Sequence, residues 1–204
     1  HPFRHQGSAD INTYKMFLES AHALCRDGGR MGMIVPSGIY TDNGTKELRN
    51  LFLEKCDWDW LWSLINWNKL FTSVYYRFKF AIIIVNKKGK TENIKCGFNK
   101  KSFESWHQAE QEFLTLPLEK IVQFSPLSKA ILETSTYEDL AIVTKIYENS
   151  VLLGDSGPDG WGIQYATEFH MTNDSHLFPP RAWREERGYT PDEYGRWIPP
   201  EGEP

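Results

Sequence analysis

The sequence predicts an α/β fold, and three observations carry that prediction. Apolar residues recur at helical spacing from Asn12, at Tyr14, Phe17, Leu18, Ala21 and Leu24. The pair Gly28-Gly29 then separates them from a continuous apolar run at residues 31–35, closed by Pro36 and Gly38. Further on, residues 58–65 alternate and residues 78–85 are almost wholly apolar, so both read as strands.

Taken in order, residues 1–9 are polar and irregular and read as a loop. Asp10 or Asn12 can cap the first helix, because a short side-chain oxygen accepts an otherwise unpaired N–H of the first turn. Gly28-Gly29 supply the backbone freedom that stops it. The run at 31–35 is expected to be a parallel strand covered on both faces. A loop through Asp42, Asn43 and Gly44 leads to Thr45, read as the cap of a helix that carries Leu48, Leu51 and Phe52 and ends near Cys56. Arg49 reads as a surface residue of that helix.

Between the strands at 58–65 and 78–85, residues 66–77 form a long connection, and long ordered loops are usually functional. Residues 86–89 read as a turn and 91–98 as a third strand returning from it. Residues 102–113 are amphipathic, with Phe103, Trp106, Ala109 and Phe113 on one side. Residues 116–124 are expected to be extended around Pro117, a short helix follows from Ser125-Pro126 to Glu133, and another spans 137–147 from a cap at Ser135 or Thr136. Composition shifts near Asn149, after which Gly, Pro, Trp and Tyr are frequent and no long periodic segment occurs. There is no internal repeat.

At 204 residues the chain can bury one good core and part of a second domain. It contains no apolar run of about eighteen residues or more, the length that a membrane-spanning helix needs. Neither end looks like a natural terminus, which suggests a piece of a longer protein. Cys25, Cys56 and Cys96 are odd in number and widely spaced, which argues for reduced thiols in a cytoplasmic protein and against a disulfide frame or a zinc site. The net charge of −4 does not announce a nucleic-acid binder, so a DNA enzyme would have to gather its bases on one face. Lys87, Lys88, Lys90, Lys95, Lys100 and Lys101 are one such cluster, although a solvated hairpin edge kept from pairing by its lysines is the preferred reading. Aromatics are the louder signal. Eight tryptophans and nine tyrosines exceed the needs of one small core, and extruded bases are held by stacking on such rings.

In an open α/β sheet, ligands sit beyond the carboxyl ends of the strands, so residues 36–42 are the first candidate site. Asn12 and Tyr14 open the first helix, where capping and packing are the plain alternatives to lining a pocket. Phe71, Tyr75, Tyr76, Phe78 and Phe80 surround the long connection, with Phe78 and Phe80 read as core. Arg77 and Lys79 are candidates for phosphate contact, with solvent exposure as the alternative. His170, Asn173 and Asp174 carry groups that can read base edges, although Asn-Asp-Ser is also ordinary turn chemistry, and a scaffold role is slightly favoured. Two patterns are rejected. Gly154-Asp155-Ser156-Gly157 resembles the loop around a trypsin-like serine, but it follows a helix and no cysteines pair nearby. Asp155, Asp159 and Gly160 hint at a calcium loop, but Gly157 and Ala166 stand where acidic ligands are needed.

Several short segments together resemble the stretch after the catalytic motif in gamma-class adenine-N6 DNA methyltransferases, and specifically the combined restriction–modification enzymes of the type IIG, Eco57I-like kind. They are Asn12-Thr13-Tyr14, Phe17-Leu18-Glu19, Gly28-Gly29-Arg30, Ile34-Val35-Pro36, Gly38 to Asp42, Gly44-Thr45, Leu48-Arg49, Arg77 to Phe80 and Glu168 to Ser175. The resemblance implies the second half of a Rossmann-like, S-adenosyl-L-methionine-dependent methyltransferase sheet with a terminal antiparallel pair near 58–65 and 78–85. It implies a catalytic part at 1–101, a helical connector at 102–148 and an incomplete target-recognition domain from 149 to 204. Duplex DNA would be the partner and N6 of adenine the acceptor. Phe71 would stack the extruded base, Asn12 and Tyr14 would line the pocket, and Pro36, Ser37 and Tyr40 would shape its rim. Arg77, Lys79, His170, Asn173 and Asp174 would be the DNA-contact candidates.

The family's catalytic tetrapeptide, an acidic or Asn residue followed by two prolines and an aromatic, does not occur here, and neither does its glycine-rich cofactor loop. The stretch as given is therefore expected neither to bind S-adenosylmethionine tightly nor to methylate DNA. A non-catalytic DNA-binding specificity module and an RNA or protein methyltransferase are the rival readings.

Overall fold

The structure is a computed structural model describing residues 3–7, 11–102, 104–107, 109–155, 157–164 and 166–200. Asp10, Phe103 and Ser156, and the side chain of Ala109, lie outside the described set. The chain divides into two compact units, His1–Val151 and Leu152–Pro204.

The first unit begins with helix α1 (Thr13–Leu24), capped by Asn12, whose side chain accepts the Tyr14 N–H. Gly28, at φ +72, takes the turn that follows the helix. The buried face of α1 is not the apolar stripe. Leu18 is buried and Tyr14 half-buried, but Phe17 is 66% and Leu24 87% exposed, while Lys15 and Glu19 are buried. The cause lies far along the chain: Lys15 Nζ donates to the carbonyls of Gln6 and Gly44, and Glu19 accepts from the backbone of Arg4 and His5 and from the Gln6 amide. Burial alone would raise the Glu19 carboxyl, but these bonds outweigh it and hold the group below its ordinary pKa.

Strand β1 (Arg30–Pro36) leads to a short helix α2 (Gly38–Thr41), a 3₁₀ turn (Asn43–Thr45) and helix α3 (Lys46–Lys55). The expectation of a parallel strand covered on both faces is corrected. β1 pairs antiparallel with β3 at one edge of the sheet, and Arg30, Gly32 and Ile34 are exposed on one of its faces. Thr45 precedes α3 as expected but does not cap it; its hydroxyl instead donates to Gly38 O at 2.7 Å.

Strands β2 (Cys56–Ile65), β3 (Lys79–Lys87) and β4 (Asn93–Lys100) follow. After helices α4 (Glu104–His107) and α5 (Ala109–Glu112), strand β5 (Leu114–Pro117) completes a mixed sheet of order β1-β3-β2-β4-β5. β3 runs antiparallel to both β1 and β2, so the expected antiparallel pair is present. β4 does not return beside β3 as a hairpin; it crosses to the far side of β2 and pairs with it in parallel. A bulge at Trp58/Trp60 shifts the alternation of β2. Trp58 and Leu61, three residues apart, therefore share the main core with Ala81, Ile83 and Val85, while Trp62 and Leu64 face the other way with Phe80. A β-carbon on Gly97 would overlap the Trp62 indole, which fixes glycine at that register point.

The lysine cluster is dispersed into local contacts. Lys87 Nζ binds carbonyls of His22 and Cys25 at the end of α1, Lys95 pairs with Asp59, and Lys100 pairs with Glu112. Residues 118–124 are helical (α6, Leu118–Phe124), because Pro117 serves as the cap position of that helix and not as the centre of an extended segment. No helix forms at 125–133. Helix α7 (Tyr137–Glu148) opens at Thr136, one of the two expected caps, and the structure adds a complete capping box with Asp139.

The second unit holds a 3₁₀ turn (Ser175–Leu177), helix α8 (Arg181–Glu186) and a two-residue ladder of β6 (Thr190–Pro191) with β7 (Trp197–Ile198). No helix of the described residues is long and apolar enough to cross a membrane.

Candidate functional site

A cavity of about 410 Å³ opens where the carboxyl end of β1 meets the amino end of α1. Asn12 and Tyr14 come from α1, Pro36 and Ser37 from the end of β1, and Asp42 from the following turn; Phe78 closes it from the start of β3. The sequence thus brought Asn12, Tyr14, Pro36 and Ser37 to one place. Phe78 is exposed and lines the cavity, which corrects its assignment to the core; Phe80, two residues on, is buried as expected.

The cavity wall is built by hydrogen bonds. Asn12 is spent on its helix, accepting the Tyr14 N–H at 3.3 Å, so capping and lining coincide in one residue. The Ser37 N–H donates to Lys79 O at 3.2 Å, and its carbonyl accepts the Tyr40 N–H. A β-carbon on Gly38 would overlap the Asp42 carboxylate and stand 3.3 Å from the Tyr14 hydroxyl, so only glycine lets these groups share the wall. Burial, reinforced by the Asp42 carboxylate and partly opposed by the Arg49 guanidinium, pushes the Tyr14 phenol up to about 12. At neutral pH this hydroxyl keeps its proton and can donate.

Arg49 underpins the wall and is not a surface residue. It is fully buried, and its guanidinium donates to Ile39 O at 3.0 Å, Asp42 O at 2.9 Å, Thr45 Oγ1 at 2.7 Å and Ser128 O at 2.7 Å. Burial lowers it to about 10, against the opposing pull of Asp42 and Tyr14.

Tyr40 is placed elsewhere. It is buried in the core, its hydroxyl 2.8 Å from Ser63 Oγ and donating to Glu133 Oε1 at 2.6 Å, so it does not line the cavity. Burial, then the bond to Glu133, raises its phenol far above the ordinary range. The same Glu133 pairs with Lys79 at 2.5 Å, which ties down one of the two proposed phosphate contacts. Arg77 is exposed, with its guanidinium 5.3 Å from the Tyr76 ring centroid.

Phe71 lies outside the cavity lining, in the 66–78 connection. Its ring meets Phe80 edge-on at 5.1 Å, and its outer part is exposed. The connection is organised by Asn66, which sequence reasoning missed. This buried amide donates to Phe71 O and Val74 O at 2.9 Å each and accepts the Phe71 N–H at 3.0 Å, while its backbone N–H donates to Phe78 O. The one local signal was a lone Asn at the end of an apolar strand. In the second unit, His170 and Asp174 close on their own turn: Asp174 Oδ2 accepts the His170 N–H at 2.6 Å, and His170 Nδ1 accepts the exposed Asn173 N–H at 3.1 Å. Asp155 Oδ1 likewise accepts the Gly157 N–H, an ordinary turn.

Residues 3–71 match the model of the Eco57I restriction-modification methylase family. No curated protein matches the chain. Solved structures with a similar fold include one from a study of complex assembly and conformational transition of the type I R-M system (18% identity, TM-score 0.49, 70% of this chain). Another is the type IIG restriction endonuclease BpuSI (15%, TM-score 0.49, 89% of this chain), and a third is a modification subunit of a putative type I restriction enzyme from Vibrio vulnificus YJ016 (16%, TM-score 0.44, 53%). The chain spans between 24 and 37% of the length of these three. Residues 3–71 supply every lining residue of the cavity except Phe78, so the cavity lies almost wholly within the stretch that matches the Eco57I restriction-modification methylase model.

Proposed function

We propose that the chain is part of a restriction–modification DNA methyltransferase that uses S-adenosyl-L-methionine to methylate N6 of adenine in duplex DNA. The observation that carries this reading is the cavity at the carboxyl end of β1, which gathers Asn12, Tyr14, Pro36 and Ser37 within the segment that matches the methylase family. The arrangement of β3 antiparallel between β1 and β2 supports the terminal part of a Rossmann-like methyltransferase sheet. Residues from about 149 onward would begin the target-recognition domain, reached through 102–148, and the stretch by itself would be inactive.

The lining suits both the methionine end of the cofactor and a planar base. The Asp42 carboxylate complements an ammonium group, the Tyr14 and Ser37 hydroxyls can donate, and Pro36 and Phe78 offer apolar surface. When bound, the cofactor supplies an activated methyl group to the exocyclic nitrogen. This chain's residues position the partners: Tyr14, protonated at neutral pH, donates a hydrogen bond and does not act as a base. Placement carries most of the acceleration that such a site can supply. Phe71 stacks the extruded adenine, backed by Phe80.

The test is Phe71→Ala in the intact protein, with binding measured to a duplex that carries a mismatched, easily extruded adenine. Loss of one stacked base at about 1–3 kcal/mol is expected to weaken binding roughly 5- to 150-fold. Unchanged affinity would remove Phe71 from this role.

A further inference from the structure

The 66–78 connection offers more than Phe71. Residues 66–79 contain five aromatics, three cations and no acid. At the chain's mean density, 27 acids in 204 residues, fourteen residues would carry about two. Around Phe71 the rings form a cluster: Trp67 meets Tyr76 edge-on at 5.8 Å, and Tyr75 lies 4.8 Å from Tyr76. Trp67 is 50% and Tyr75 61% exposed, and Tyr76 is half-buried, so part of this aromatic surface is surplus to the core. Cations stand over one face of two of the rings. Lys101 Nζ, from the segment after β4, lies 5.3 Å from the Trp67 centroid, and Arg77 is equally close to Tyr76. Among the described residues neither Lys101 nor Arg77 has a carboxylate within ion-pairing distance, whereas neighbouring Lys79 is paired to Glu133.

The backbone beneath the rings is already fixed, so binding would require little ordering. Asn66 ties the connection at Phe71 and Val74, the Trp67 N–H donates to Ile65 O at 2.7 Å, and Lys69, at φ 51, donates its N–H to Asn66 O. Exposed rings interleaved with unpaired cations on a rigid frame are what a single strand needs, with bases on rings and phosphates on cations. A protein partner of matching charge would need an acidic patch, whereas a nucleic-acid strand supplies both the phosphates and the bases.

We propose that Trp67 and Tyr76, flanked by Lys101 and Arg77, form a second stacking platform that takes an unpaired nucleotide of the DNA beside the target, separate from the base held by Phe71. This rests on the reading of the protein as a DNA methyltransferase that extrudes its target base.

The experiment measures anisotropy of a labelled duplex with a short single-stranded thymidine gap, bound by the intact protein over a range of salt concentrations. Trp67→Ala and Tyr76→Ala are each expected to weaken binding about 5- to 150-fold, with Trp67→Phe retaining most of it. Lys101→Glu, on an exposed side chain, is expected to weaken binding and to reduce the slope of log K against log salt by about 1. Wild-type affinity in Trp67→Ala and Tyr76→Ala overturns the platform, as does an unchanged salt slope in Lys101→Glu. If Phe71→Ala alone weakens binding, the platform fails while the methyltransferase reading stands. If Trp67→Ala weakens binding to the gapped duplex and Phe71→Ala leaves binding to the mismatched-adenine duplex unchanged, the platform stands and the role of Phe71 fails.

Discussion

Asn66 grips Phe71 at both polar groups of its backbone: Oδ1 accepts the Phe71 N–H at 3.0 Å and Nδ2 donates to the Phe71 carbonyl at 2.9 Å. The same amide reaches Val74 O, so one buried side chain closes the whole connection between β2 and β3. Asn66→Ala removes three bonds whose partners lie near solvent and can recover water. The expected loss is about 1–3 kcal/mol in unfolding free energy, with faster amide exchange at Phe71. Unchanged exchange protection at Phe71 would show that something other than Asn66 holds the loop.

Arg49 is the corresponding anchor beneath the cavity. Arg49→Met would leave the carbonyls of Ile39, Asp42 and Ser128 without their donor, that of Ile39 in buried surroundings and the other two in partly buried ones. A buried acceptor left unpaired costs about 1–3 kcal/mol, so a loss of about 3 kcal/mol or more is expected from denaturant unfolding. Arg49→Lys, which can reach only some of these carbonyls, should fall between. A near-neutral Arg49→Met would contradict the placement.

Glu133 gives the first unit a pH dependence with a defined sign. Burial alone would raise its carboxyl, but the bonds from Lys79 and Tyr40 outweigh that and lower it from 4.5. A carboxyl lowered in the folded state stabilises above its unfolded value of about 4.5, and that stabilisation is lost as pH falls through the folded value. Unfolding midpoints measured between neutral pH and about pH 3 should therefore fall less steeply on the acid side in Glu133→Gln than in wild type. Parallel acid limbs would show that the group is not lowered.

What could be read from the sequence was local. The Asn12 cap, the turn at Gly28 and the helix start at Thr136 each depend on a few neighbouring residues, and each stands at a position the local sequence offered. The apolar run at 78–85 identified β3, because a strand flanked on both sides must be greasy. Long-range pairing was hidden. Arg49 read as a surface residue, and nothing local marked Lys15 or Glu19 for burial, because their partners come from residues 4–6, 44 and 128. The crossing of β4 to the far side of β2 has no local mark. Neither has the contact that sends Tyr40 to Ser63 and Glu133, which removes it from the rim it was expected to shape. Phe78 and Phe80 share a strand-like spacing, yet only Phe80 finds a core to enter.

The most direct test of the account is methyl transfer by the intact protein. Duplex DNA would be incubated with S-adenosylmethionine labelled in its methyl group, digested to nucleosides and separated. The account predicts label in N6-methyl-2′-deoxyadenosine from the DNA, reduced when Phe71 or the Gly38–Asp42 wall of the cavity is altered. Label on cytosine alone, or on RNA or protein with none in DNA, would contradict it.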